Sequence, residues 1–255
     1  MSLTLGTLNA RGRAKSKFPS VTRRNTECVN ILIAIFTFVI NCPLARAQTV
    51  VIPHTDRGQY SDTGFHNPSN PNYVVGDVSF FGPSVTRNFF VFDLASVVQP
   101  IASAKLVLFV PSSLAGPGYS SSDPSENYEL RDISTSIATL VAGTGGVAAY
   151  TDLGGGVVYG SRTMTAADMG TVVEITLNPA AIAALDSATG LIGIGGWLTT
   201  LDGVANSEFT FGSSGSIGDT TELRLTLVPE PSALSLLGIG AISLLGTRRK
   251  ATQRY

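Results

Sequence analysis

Between Gln48 and Val228 the apolar positions come in short β-branched and aromatic runs, broken every few residues by Gly, Ser, Asn or Pro. The runs fall at Thr49–Pro53, Asn72–Val78, Arg87–Leu94, Ala104–Pro111, Asn127–Ile133, Thr171–Leu177, Leu191–Leu198, Glu208–Phe211 and Glu222–Val228. Runs of this length between turn-forming residues predict strands, and their regular spacing predicts an all-β fold, a single β-sandwich or barrel. The cleanest alternation is Glu222–Leu227, which puts its leucines on one face and its polar groups on the other. One short helix stands out. Asn178 is a good N-cap, Pro179 suits the first helical position, Ala180–Ala188 follows, and Gly190 can end it. A second turn is predicted at Thr165–Met169, before Gly170. The Gly- and Ser-rich stretches at 112–125, 143–146, 154–156 and 212–218 read as loops joining strands.

Both ends of the chain break this pattern. Residues 1–47 read as a secretory signal peptide with a long basic n-region (Arg11, Arg13, Lys15, Lys17, Arg23, Arg24) and an apolar run, Val29–Ile40. Ala45-Arg46-Ala47 satisfies the small-x-small rule, so signal peptidase is expected to cut between Ala47 and Gln48. At the other end, residues 229–255 have three parts. Pro229-Glu230-Pro231 removes backbone donors and forces an extended, accessible segment. Ser232–Thr247 is uncharged but a little short of the ~20 residues that span a bilayer comfortably. Arg248, Arg249 and Lys250 then form a basic stop-transfer cluster.

That tripartite tail resembles the PEP-CTERM sorting signal of exopolysaccharide-producing Gram-negative bacteria. The resemblance implies an exosortase as processing partner, transient anchoring through a C-terminal transmembrane helix, and release to the cell surface or the extracellular polysaccharide matrix. The domain plan is then a signal helix (1–47), an ectodomain (48–228) and the sorting signal (229–255). Both cysteines, Cys28 and Cys42, fall in the segment expected to be removed, which leaves the ectodomain no disulfide or thiolate metal site.

Removing the ends changes the charge. The whole chain carries −1, but Gln48–Val228 holds 6 basic and 16 acidic residues, a net −10. An acidic ectodomain argues against nucleic acid and anionic lipid as partners and suits solubility outside the cell. Within it, Arg87-Asn88-Phe89-Phe90-Val91-Phe92-Asp93-Leu94 and Ser103-Ala104-Lys105-Leu106-Val107-Leu108-Phe109 resemble neighbouring strands of DNRLRE-type and carbohydrate-binding jelly rolls. This resemblance implies a jelly-roll-like sandwich and carries no ligand residues with it.

Catalytic chemistry is thinly supported. The sequence has no G-x-S-x-G elbow, no H-E-x-x-H and no phosphate-binding glycine loop. His54-Thr55-Asp56 offers half of a metal or acid–base site, with His66 the only other histidine; the plainer reading is exposed loop histidines. Asp123, Glu126, Glu129, Asp132 and Glu174 supply acids for a glycosidase pair, but Trp197, the single tryptophan, reads as part of a buried strand. Asp56, Asp62, Asn67 and Asn70 offer hard oxygen ligands for a structural calcium, and no other cofactor is indicated. The expectation is a non-catalytic surface or matrix protein, with a glycan-binding module and a polysaccharide hydrolase as the alternatives.

Overall fold

The first strand organises the fold because it serves two sheets in turn. In the computed structural model, which describes residues 47–78, 84–112, 118–203, 207–212 and 220–229, β1 (Thr49–Ser61) pairs antiparallel with β11 (Thr221–Leu227) over Thr49–Pro53. From His54 to Ser61 it pairs instead with β3 (Val85–Asp93), and a bulge between His54 and Asp56 marks the handover. Bulges add bend and twist, which lets one strand turn the corner between sheets. The first sheet continues from β11 to β4 (Ile101–Phe109) and β8 (Val172–Thr176). The second forks beyond β3. One branch runs through β2 (Val75–Asp77) and β10 (Phe209–Thr210) to β5 (Tyr119–Ser120). The other runs through β9 (Leu191–Leu198) and β6 (Glu126–Asp132) to β7 (Val158–Met164). Every pairing among the described residues is antiparallel, and Arg46–Pro229 form one compact unit.

Alternation decides which side chains meet. Leu223, Leu225 and Leu227 of β11 point inward as their spacing predicts, joining Ala104, Leu106 and Leu108 of β4 and Phe90, Phe92, Tyr128, Leu130 and Ile194 of the second sheet in one apolar cluster. A smaller cluster covers the other face of β3, where Phe89 and Val91 pack with Tyr60, Leu140, Ala149 and Leu153. With both faces covered, β3 is buried without a break from Asn88 to Phe92, which explains its aromatic run.

The sequence predicts one short helix, and the described residues hold three. The expected one is α3 (Pro179–Ser187), with Asn178 Oδ1 accepting from Ala181 N at 3.0 Å. The Thr165–Met169 turn is a 3-10 helix over Ala166–Asp168 with a capping box. The additional pair is α1 (Ile137–Val141), capped by Ser136, and α2 (Gly146–Asp152). Gly143–Gly146, read as a loop between strands, instead joins these two helices. Helices of one or two turns are too short to show a 3.6-residue period, so packing on β3 reveals them where the pattern does not. β5 and β7 are likewise absent from the expected strands. Among the described residues no helix is long and apolar enough to cross a membrane. The expected signal helix, within 1–47, and the expected C-terminal transmembrane helix, within 229–255, lie outside the described residues, which include only Ala47 and Pro229 of those segments.

Candidate functional site

The C-terminal tail leaves from the middle of a sheet. Leu227, the last residue of β11, is 5% exposed, whereas Val228 is 42% exposed. Val228 N still donates to Pro100 O at 2.8 Å, and Pro229 is half-buried beside it. The turn from buried strand to exposed chain therefore takes a single residue. The other end of the domain lies alongside: Leu227 N donates to Gln48 O at 2.8 Å, and Ala47 and Gln48 are both exposed. The structure thus puts the expected signal-peptidase junction next to the start of the tail. Glu230, Pro231, Arg248, Arg249 and Lys250 lie outside the described residues.

A second feature gathers residues from four separate segments. Asp123 lies between β5 and β6, Glu126 opens β6, Asp202 follows β9, and Glu208 precedes β10. Carboxylate oxygens of Asp123, Asp202 and Glu208 lie within 4.8 Å of one another. Glu126 and Glu208 are fully buried. Glu126 accepts from Ser121 Oγ at 2.6 Å and from Thr200 Oγ1. Glu208 accepts weakly, from Asp202 N at 3.3 Å and Ser122 Oγ at 3.4 Å. Burial, together with the neighbouring Asp202 and Glu126 charges, holds the Glu208 carboxyl above the usual carboxylate range.

The other candidates from the sequence are dispersed. His54 Nδ1 donates to Thr221 O at 3.0 Å, where β1 changes sheets. His66 is no exposed loop residue: it is 7% exposed, stacks on Tyr60 with ring centroids 4.9 Å apart, and its Nδ1 donates to Gln59 O at 2.9 Å. Each ring is thus tied to a backbone carbonyl, and they meet different stretches of β1. Asp56 Oδ1 accepts from Arg57 N at 2.7 Å at the bulge of β1, whereas Asn67 and Asn70 accept from Ser69 N and Asn72 N and so shape turns. Asp62 is exposed, with its own N–H donating to Val85 O. Trp197 sits in β9 but is only half-buried; its Nε1 donates to Glu129 Oε1 at 3.3 Å, and the Arg87 and Arg131 guanidiniums stand 5.1 and 5.8 Å from its ring. An open groove of about 490 Å³ lies alongside β1, lined by Phe65, His66 and Val78 together with amides and hydroxyls such as Gln59, Asn67 and Ser84. At its rim Phe65 is 69% exposed.

The tail is matched by a known family model, that of the PEP-CTERM protein-sorting motif, over residues 227–250. The chain carries a PEP-CTERM sorting motif. The match begins at Leu227, so the motif starts on the last buried residue of β11 with no spacer. No curated protein matches the chain. The PEP-CTERM motif marks an exported protein sorted to the cell envelope, with an exosortase as its processing partner.

Sequence reading found the tail because its signal is local and contiguous. It named Asp123 and Glu126 for a different chemistry and passed over Asp202 and Glu208 altogether. Only the fold brings them together, since Glu126 and Glu208 lie on branches of the second sheet that part at β3.

Proposed function

We propose that this PEP-CTERM protein is a non-catalytic component of the cell surface or extracellular polysaccharide matrix. Signal peptidase releases it after Ala47, and the apolar segment 232–247 holds it briefly in the inner membrane with Arg248, Arg249 and Lys250 on the cytoplasmic side. An exosortase then acts at or beside Pro229-Glu230-Pro231. The observation that carries this reading is the absence of a spacer. A folded domain whose last buried residue is Leu227 survives loss of everything after it, because Val228 is exposed and adds a single backbone bond, to Pro100. The ectodomain reads as a sandwich of jelly-roll kind, with both sheets closing on one core.

Mass spectrometry of the mature protein from its native host tests the proposal. A C-terminus at or next to Pro229–Pro231 supports it, and a C-terminus at Tyr255 overturns the processing step.

A second reading, glycan binding, is favoured by the groove along β1. Neutral hydrogen-bonding side chains beneath one exposed aromatic ring, Phe65, match the needs of an uncharged sugar face. A glycan array probed with the secreted protein separates the two. Binding that Phe65→Ala removes would favour this second role; no binding to any acidic or neutral glycan would favour the structural one.

A further inference from the structure

We propose that Asp123, Asp202 and Glu208 hold a calcium ion in the loops that link the two branches of the second sheet, with Glu126 supplying a further negative charge beside them. Two oxygens on one calcium, each about 2.3–2.6 Å from it, are separated by at most about 4.6–5.2 Å. The three carboxylates already meet that limit, at 4.8 Å or less.

Acid proximity alone would be weak ground, since exposed acids often lie close together. Here the surroundings point the same way. Glu126 and Glu208 are fully buried, and burying carboxylates near one another is costly unless a cation offsets them. Among the described residues they accept from three hydroxyls and one backbone N–H. Arg162, on the strand next to Glu126, pairs with Asp168 at 2.8 Å through a terminal nitrogen, while its buried Nε has no hydrogen bond. Two buried oxygens also lack any hydrogen bond. Tyr119 is 7% exposed, and its Oη makes no hydrogen bond of good geometry, with Ser121 beside it and Glu126, Asp123 and Asp168 around it. Asp77 Oδ1 is the other. The register explains its place. Gly76 pairs with Phe209, so Asp77 lies directly opposite Glu208, its N–H donating to Glu208 O at 2.7 Å. Opposite residues of an antiparallel pair share a face, so the Asp77 and Glu208 side chains project the same way. Ser120 pairs with Phe209 from the other side, which brings Ser121 opposite Glu208 as well. Three adjacent strands therefore present oxygen at one level.

The donor set is all hard oxygen, without imidazole or thiolate, and it comes from loops and strand ends, which accommodate the irregular 6–8-fold shell of calcium better than the strict octahedron of magnesium. Sites of extracellular modules typically bind with Kd of about 10⁻⁴–10⁻³ M.

The test is thermal unfolding of the full chain, purified in detergent, first with chelator and then with calcium chloride at about ten to a hundred times such a Kd. The expected result is a rise in Tm of about 5 °C with calcium and less with magnesium. Calorimetric titration should give one calcium per chain. Glu208→Gln should abolish the rise. Asp202→Asn, at an exposed position that leaves the buried acids intact, should reduce it even if Glu208→Gln does not fold. The proposal is overturned if Tm is the same in chelator and calcium, if sodium chloride of equal ionic strength reproduces the rise, or if both variants keep the full shift.

Discussion

Two buried polar regions of this protein lie near each other in the second sheet and are built on opposite plans. At the fork, Asn88 Nδ2 donates to Tyr73 O at 2.9 Å and Tyr128 Oη donates to Asn88 Oδ1 at 2.8 Å, all of it fully buried and neutral. Each group is satisfied by the next, and burial pushes the Tyr128 phenol far up, so it stays protonated as a donor. At the acid cluster, the buried Glu208 feels the buried Glu126 and lies against the exposed Asp123 and Asp202, and two buried oxygens have no partner. The first plan is what a fold needs to specify itself. The second is costly to the protein alone and becomes favourable when a cation arrives, so the contrast separates polarity kept for structure from polarity kept for a ligand.

The largest break is expected from Gly196→Ala. A Cβ there would stand 2.5 Å from Asn88 Oδ1 and closer still to Tyr128 Oη, so the network must separate to admit one methyl group. Overpacking plus two unpaired buried groups should cost about 4 kcal/mol, read from chemical denaturation of wild type and variant side by side. A loss below about 1 kcal/mol would show that the network yields easily and does not define the fork. Next in size is a change of sign. Glu208→Gln should raise Tm by about 2–4 °C in chelator, because it removes one of the mutually repelling charges, yet leave the variant less stable than wild type once calcium is present. A variant less stable in both conditions would make Glu208 a structural residue like Asn88.

How far each plan could be read from sequence follows from distance along the chain. The leucine alternation of β11, the Asn178-Pro179 helix start and the sorting tail are each written within a few consecutive residues, and all three are legible. α1 and α2 are not, although Ser136 is a cap in plain view, because what holds them is Phe89 and Val91, nearly fifty residues before. The acid cluster is harder still. Nothing in the neighbourhood of Asp202 or Glu208 distinguishes them from the other acids of a −10 domain, and only the pairing of β10 with β2 and β5 places Glu208 between Asp77 and Ser121. His54 and Asp56 show the reverse case: neighbours in sequence, they are engaged in the fold with different backbone groups, Thr221 O and Arg57 N.

Asp152 sharpens the comparison at a smaller scale, because it is a carboxylate treated in the opposite way to Glu208. Its partial burial acts to raise the pKa, but donors outweigh it: Ser134 N at 2.9 Å, Thr135 N at 2.7 Å and Ser134 Oγ at 2.6 Å. The net effect holds its carboxyl below the ordinary 3.8. These bonds tie the end of α2 to the segment that enters α1. A depressed folded-state value means the contribution is complete above the unfolded pKa and is lost as pH falls through the folded one. Asp152→Asn should therefore cost about 1 kcal/mol at neutral pH, and its stability should converge on that of wild type as pH drops below 3.8. A gap that stays constant to lower pH would mean the loss is steric and owes nothing to charge.

The smallest effect is expected where a carboxylate has its cations but no burial. Glu174 is held below the usual range, first by the hydrogen bond from Lys105 Nζ at 2.7 Å and then by the Lys105 and Arg224 charges. Lys105 and Glu174 are 49% and 39% exposed, so water and salt already screen what the pair could gain. Lys105→Ala should shift Tm by under about 1 °C, and less again in high salt, where exposed pairs are screened further. A larger, salt-insensitive loss would point to the Lys105 stem packing across β4 and β8, and would place this pair with the buried network at the fork. Between this exposed pair and Glu208 the chemistry of the carboxylate is the same. What differs is whether water can reach it, and this sets which acid in the domain needs a metal.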